Sequence, residues 1–244
     1  MPTILAIETS AELASCALLA GEQVIARATP GVRSHSQSVL PMVQELLNEA
    51  GIKLADCDAV AFGAGPGSFT GVRTACGVAQ GLAYGASLPV LPMVTLEAMA
   101  EACRAASGAD EVLAVLDARM GEVYWAQYLF GPGGWTEVVA PTLSAPGDVA
   151  PVAAAGLRAC GNGFAEYAEA FAGKPFAAQA LSGIVPHARE MALLARAALA
   201  AGQGVPAAQA QPIYLRNKVA YTSAERLAIN EANAAAKPAA GAGA

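Results

Sequence analysis

Charge is scarce in this chain. Only 14% of its 244 residues are Asp, Glu, Lys or Arg, and the balance is acidic, with a formal net charge of −6. A protein that holds nucleic acid by itself presents a basic face to the phosphates, and the composition offers none. Histidine is nearly absent. His35 and His187 are the only two, which excludes a histidine-rich metal site. At their positions near helix starts, solvated or capping roles are expected ahead of catalysis. The five cysteines (Cys16, Cys57, Cys76, Cys103 and Cys160) are odd in number and form no C-x-x-C pair. That argues against a disulfide framework or a zinc knuckle and for free thiols in a reducing compartment. Long apolar runs are missing too. Mean hydropathy is +0.42, but alanine supplies about a quarter of the chain. The closest approach to a membrane span, 75–91, is broken by Gln80, Ser87, Pro89 and three glycines. No basic start followed by an apolar stretch suggests a secretory leader. The motifs H-E-x-x-H and G-x-S-x-G do not occur.

What is present reads as a soluble α/β protein, large enough for one big domain or two small ones. The opening predicts three strands, at 3–9, 14–20 and 23–28, with Gly21-Glu22 as a hairpin turn. A helix over 34–50 follows, with serines at its front and Gly51 past its end. Pro41 is tolerated there only in the first turn; deeper, it would kink the helix. A strand at 58–63 leads through a glycine-rich turn into a helix at 70–86, a short strand at 89–92 and a helix at 95–106. The second half repeats the pattern with strands at 112–116, 122–130, 135–143 and 157–160 and helices at 164–172 and 187–201. Two β-β-β-α-β-α units of about 100 residues describe the whole as a structural duplication. The alanine-rich end, 234–244, is of low complexity and reads as a disordered tail.

Three features could carry chemistry. Thr9 and Ser10, with Glu8, end the first strand and could face a phosphate or a metal; taken alone, ordinary polarity at a strand end is the expected reading ahead of that. Gly65, Gly67, Ser68 and Thr70 lie in Gly65-Pro-Gly-Ser-Phe-Thr-Gly71-Val-Arg73, where backbone N–H groups and a helix N-terminus could meet an anion. The string fits neither a Walker A loop nor a dinucleotide fingerprint, and a tight strand-to-helix turn also accounts for it. Finally, Gly77, Gly81 and Gly85 stand four apart inside the following helix. Each costs about 1 kcal/mol relative to alanine. Something must come close to that face: either the chain's own sheet or a partner helix. A basic cluster of Arg216, Lys218 and Arg226, with Tyr214 and Tyr221 for stacking, is a weaker candidate for nucleic-acid contact than for solvated surface.

Ile4-Leu-Ala-Ile-Glu-Thr-Ser10, the 65–73 string, Leu116-Asp-Ala-Arg-Met-Gly-Glu-Val-Tyr124 and Pro212-Ile-Tyr-Leu-Arg216 together resemble the bacterial TsaB family. TsaB is a subunit of the machinery that makes threonylcarbamoyladenosine on tRNA. The resemblance runs from residue 1 to about 226. It implies a duplicated ribonuclease H-like, actin/Hsp70-ATPase-like fold, with one lobe at 1–107, a second at 108–226 and a tail at 227–244. It implies a non-catalytic paralogue of TsaD, the metal-dependent transferase, and a place in the cytoplasm. In the TsaD-like paralogue two histidines four apart hold the metal; laid on this chain they fall at Thr95 and Met99, which do not replace them. Docking on TsaD is implied through the two helices of the first lobe, here Val39, Leu40, Val43, Leu47, Arg73, Thr74, Gly77, Val78, Gly81 and Gly85. Side chains such as Val39, Leu40, Val43 and Leu47 would fill the groove that Gly77 and Gly81 open. A TsaE-like ATPase joins the pair, tRNA is reached through the complex, and a homodimer through the same surface is expected when the partner is absent. No cofactor of its own is implied; ATP/ADP and a divalent metal belong mainly to the partners. The rival reading is a nucleotide-binding or nucleotide-hydrolysing enzyme of the same superfamily, using Thr9, Ser10 and the glycine loop. A protease is disfavoured, because the sequence offers no nucleophile with a base or a metal.

Overall fold

β1 (Thr3–Glu8) is buried from its second residue on because both faces of its sheet are covered. In this computed structural model residues 1–31 and 35–216 are described. The first sheet has the order β3-β2-β1-β4-β5. β2 (Leu13–Ala20) and β3 (Gln23–Pro30) form an antiparallel meander with β1, and β4 (Ala59–Gly65) and β5 (Val90–Val94) run parallel to it. Alternation sends Leu5 and Ile7 to one face and Ile4 and Ala6 to the other. Helices α1 (His35–Ala50) and α2 (Phe69–Ala86) cover the first face.

The second sheet repeats the arrangement in the order β8-β7-β6-β9, formed by β6 (Glu111–Arg119), β7 (Glu122–Gly131), β8 (Gly134–Ser144) and β9 (Arg158–Cys160). The expected duplicated α/β fold, two lobes each with a mixed sheet flanked by helices, is the one observed. The duplication is incomplete: where α1 stands in the first half, a single 3-10 turn at Pro146–Asp148 joins β8 to β9.

The halves exchange covering helices. α3 (Thr95–Ser107) follows β5 in the chain, yet its Leu96, Met99, Ala100 and Cys103 pack on the second sheet. Helix α6 (Ala188–Ala200) comes from the second half, yet Met191, Ala192 and Ala195 pack on the first. Each sheet therefore completes its core with an element from the other half. The far face of the second sheet is closed by the short helices α4 (Gly163–Glu166) and α5 (Ala168–Phe171) and the rings of Phe164, Phe171 and Phe176.

Several local expectations need correction. The helix expected over 164–172 is broken at Tyr167, whose φ of −119° and ψ of 42° interrupt it. Pro41 lies in the second turn of α1, not the first. His187 is an N-cap as expected, its Nδ1 accepting from Arg189 N at 3.1 Å. His35 is buried, not solvated, with Nε2 3.3 Å from the Glu12 carbonyl. The five cysteines are free and buried. Among the described residues no helix is long and apolar enough to cross a membrane. The tail at 227–244 lies outside the described residues.

α2 starts where two backbones nearly touch. A Cβ on Gly71 would overlap the Thr9 carbonyl, so only glycine fits. On the same helix, a Cβ on Gly77 would meet nothing within 4 Å. Gly71→Ala is expected to lower stability sharply, while Gly77→Ala raises it by about 0.5–1 kcal/mol. Urea unfolding of the two variants checks this; equal effects would contradict it.

Candidate docking face and inter-lobe cleft

The exposed side of α2 is a bare stripe. Gly77, Gly81 and Gly85 are all exposed, and a Cβ added at any of them would have open space for at least 4 Å. The chain's own sheet therefore does not account for the ladder: the buried side of α2 is Val72, Ala75, Cys76, Ala79 and Ala83. Tyr84, between Gly81 and Gly85 in the same helix, is 81% exposed, and on α1 Leu40 is 52% exposed.

Of the other residues expected on this face, Thr74 and Val78 are half-buried. Arg73 is exposed but engaged, its Nε donating to Tyr214 Oη at 2.8 Å and its guanidinium lying 3.6 Å over the Phe69 ring. Val39, Val43 and Leu47 are a correction. They are buried in the chain's own core and cannot fill a partner's groove, because the stripe that makes α1 amphipathic faces its sheet. Tyr84 escaped the sequence reading, although its place between Gly81 and Gly85 puts it at the rim of the ladder.

The second feature is a cleft of about 380 Å³ between the lobes. All four sequence motifs meet there: Ser10, then Gly67 and Ser68, then Leu116 to Met120 with Tyr124, then Ile213 to Arg216. Ser68 N donates to Ser10 O at 2.7 Å, and a Cβ on Gly67 would stand 2.6 Å from that of Ser10. The glycine string thus closes on the turn after β1 instead of opening as an anion cradle. Thr9 is buried, its hydroxyl donating to Gly71 O at 2.6 Å. Gly65 takes φ +111° with the Ile213 carbonyl against its Cα. Ser68 caps α2, its Oγ 3.4 Å from Gly71 N, and Thr70 is exposed on the first turn. Of the six expected phosphate contacts, Ser10, Gly67 and Ser68 line the cleft and Thr9, Gly65 and Thr70 do not.

The charges of the cleft neutralise one another. Arg119 bridges the lobes to Glu12 at 2.6 Å and also pairs with Asp117 at 3.0 Å. Asp117 accepts from Arg119 N and Tyr167 Oη, and its own N–H donates to Asn162 Oδ1. Arg216 pairs with Glu122 at 2.6 Å and donates to the carbonyls of Ala118 and Arg119. Both arginines that line the cleft are therefore committed to carboxylates, and a polyphosphate would have to break these pairs. Arg216 was expected in a basic surface cluster; its burial and pairing correct that. Lys218, Tyr221 and Arg226 lie outside the described residues. Thr95 and Met99 are fully buried, and a hydroxyl with a thioether is no donor set for a hard metal. Among the described residues no group of three His, Cys, Asp or Glu could hold one.

Glu8 sits beneath the cleft, fully buried, with Oε1 accepting from Ser10 N and Oε2 without a partner. Gly63 makes room for it, since a Cβ there would overlap the carboxylate. Burial pushes its pKa up to about 7, and burial beside Glu137 and Glu101 does the same for Glu97. From the ordinary value of 4.5 up to about 7 the folded chain binds more protons than the unfolded one. Stability therefore falls as pH rises through that window and levels off above it. Glu8→Gln removes one such group, so its gain in Tm over wild type is expected to grow from pH 5 to pH 8. Thermal melts across that range check it; a gain independent of pH would contradict it.

Known proteins corroborate the outline. The family model for TsaD, tRNA N6-adenosine threonylcarbamoyltransferase, matches residues 22–240. The TsaB protein of Escherichia coli K12, named for tRNA threonylcarbamoyladenosine biosynthesis, is 40% identical over 225 residues, covering 89% of this chain and 96% of that protein. The Haemophilus influenzae TsaB is 37% identical, covering 90% of this chain and 95% of that one. The solved structure of YeaZ from Pseudomonas aeruginosa superposes with a TM-score of 0.81 at 41% identity, over 88% of this chain and all of the other. Matched nearly end to end by such relatives, and in sequence and fold together, the chain belongs to the TsaB family.

Proposed function

We propose that this chain is a non-catalytic subunit that supports threonylcarbamoyl transfer to the adenosine next to the anticodon of tRNAs, by docking on a TsaD-like catalytic paralogue. The threonylcarbamoyladenosine role comes from the names of its relatives. The docking rests on one observation: three glycines line the solvent side of α2 with nothing among the described residues against them. Together they cost about 2–3 kcal/mol of helix stability relative to alanine, and no contact among the described residues offsets that. A glycine-lined stripe lets a second helix approach at backbone distance. The exposed Tyr84 beside it, and the exposed Leu40 of α1, would supply the aromatic and apolar contact that anchors an interface. In this reading the catalytic metal and ATP/ADP are held mainly by partner subunits, a TsaE-like ATPase joins the pair, and tRNA is reached through the complex. The committed arginines of the cleft and the donor set at Thr95 and Met99 fit a chain without its own reactive centre. The same face would pair two copies of the chain when the paralogue is absent, and the assembly would work in the cytoplasm.

Gly81→Leu is the direct test. Leucine is a good helix former and meets open space in the monomer, so folding is preserved while the backbone approach is blocked. The variant is expected to melt at or above the wild-type Tm and to bind the paralogue at least about 100-fold more weakly by calorimetry. Unchanged binding would refute the docking face.

A further inference from the structure

α2 carries another stripe beside the glycine ladder, and Arg73, expected on the docking face, belongs to it. Phe69, Arg73, Cys76 and Gln80 recur at helical spacing, and each meets one segment, the strap of residues 205–216. Gln80 Nε2 donates to the Ala210 carbonyl at 2.9 Å, and Cys76 Sγ donates to the same oxygen at 3.5 Å. Arg73 donates to Tyr214 Oη, and the Phe69 and Tyr214 rings lie 5.9 Å apart. The strap is tied to the first sheet as well. Val205 and Val90 exchange two backbone hydrogen bonds at 2.9 Å, and Ile213 N donates to Ala64 O at 2.7 Å. Its end is fastened elsewhere. Arg216 enters the β6–β7 turn of the second lobe, where it holds the carbonyls of Ala118 and Arg119 and the carboxylate of Glu122. In that turn Arg119 and Met120 both adopt φ +61°, a left-handed conformation that persists in non-glycine residues only where surrounding contacts hold it.

We infer that the strap sets the position of α2, with Arg216 as its positioning residue, so that partner docking is regulated by the arrangement of the two lobes. This rests on the docking function proposed above. The physical basis is the one-sided support of α2. Its outer face is bare among the described residues, so its position is decided by β4, the turn after β1 and α1 on its inner side and by the strap along its flank. Docking through glycines needs a close and accurate backbone approach, and is therefore sensitive to small shifts of the helix. A displacement of the second lobe pulls Arg216, and through Tyr214 and Arg73 it reaches the first turns of α2. The coupling is reciprocal: a partner bound to α2 favours one lobe arrangement. Arg216 touches no part of the docking face; it acts through Tyr214 and Arg73.

The test uses the full chain with Arg216→Ala and Arg216→Lys, read by calorimetry against the TsaD-like paralogue and by hydrogen exchange of α2 amides. Arg216→Ala is expected to weaken association about tenfold, within the usual range of coupling between sites, and to speed exchange over 69–80. Arg216→Lys, which keeps the charge opposite Glu122 but loses the fork to two carbonyls, should fall between the two. Gly81→Leu should abolish association while leaving that exchange unchanged. Wild-type exchange and affinity in Arg216→Ala would overturn the inference. If the wild-type chain does not bind the paralogue, the docking function fails, and exchange in the Arg216 variants still decides whether the strap sets α2. Tyr214→Phe, at an exposed site and removing only one hydroxyl, guards against loss of fold; it should speed exchange at 69–73 alone, and no change there would count against the link.

Discussion

The close approach of the turn after β1 to the start of α2 is the constraint from which the rest follows. The Thr9 carbonyl lies against the Cα of Gly71, the Thr9 hydroxyl donates to the Gly71 carbonyl, and Ser68 N donates to Ser10 O. These contacts join two segments some 60 residues apart at backbone distance, with the short Thr9 hydroxyl as the one side chain among them. They hold α2 onto β4 by its alanine-rich side and so determine which side faces outward. Had Gly71 been any other residue, the helix would have to lift, and neither the cleft nor the bare stripe would exist in its present form.

Glycine serves opposite ends along this single helix. Gly71 is demanded by the chain's own backbone, whereas Gly77, Gly81 and Gly85 are demanded by nothing among the described residues. The contrast is what makes the outer stripe informative, because a residue that weakens a helix and touches nothing calls for an explanation outside the molecule. Charge follows a comparable economy. With so few ionisable residues, Arg119 and Arg216 pair with carboxylates that hold the lobes and the strap in register. The two arginines described in the cleft are thereby committed and would have to leave these carboxylates to meet a phosphate.

Much of the architecture could be read from the residues. Buried strands such as β1 and β4 show as short apolar runs, and the hairpin between β2 and β3 is marked by Gly21. Gly51 takes φ +66° just past α1, where a helix stop was expected. The break at Tyr167 was not legible, since 164–172 has helical composition throughout and the packing of Phe164, Phe171 and Phe176 on one another is a tertiary contact. Val39, Val43 and Leu47 have the right spacing for an interface and for a core alike; periodicity identifies an apolar side but not what covers it.

By itself, the order of amino acids determined the strands, most of the helices, the four motifs and the presence of a glycine ladder, because these depend on local propensity and short-range spacing. Only the tertiary structure decided that α3 and α6 change places between the halves, that four distant motifs surround one cleft, and that the ladder faces outward. Each of these depends on which surfaces are buried against which, and burial is settled by contacts between residues far apart in the chain.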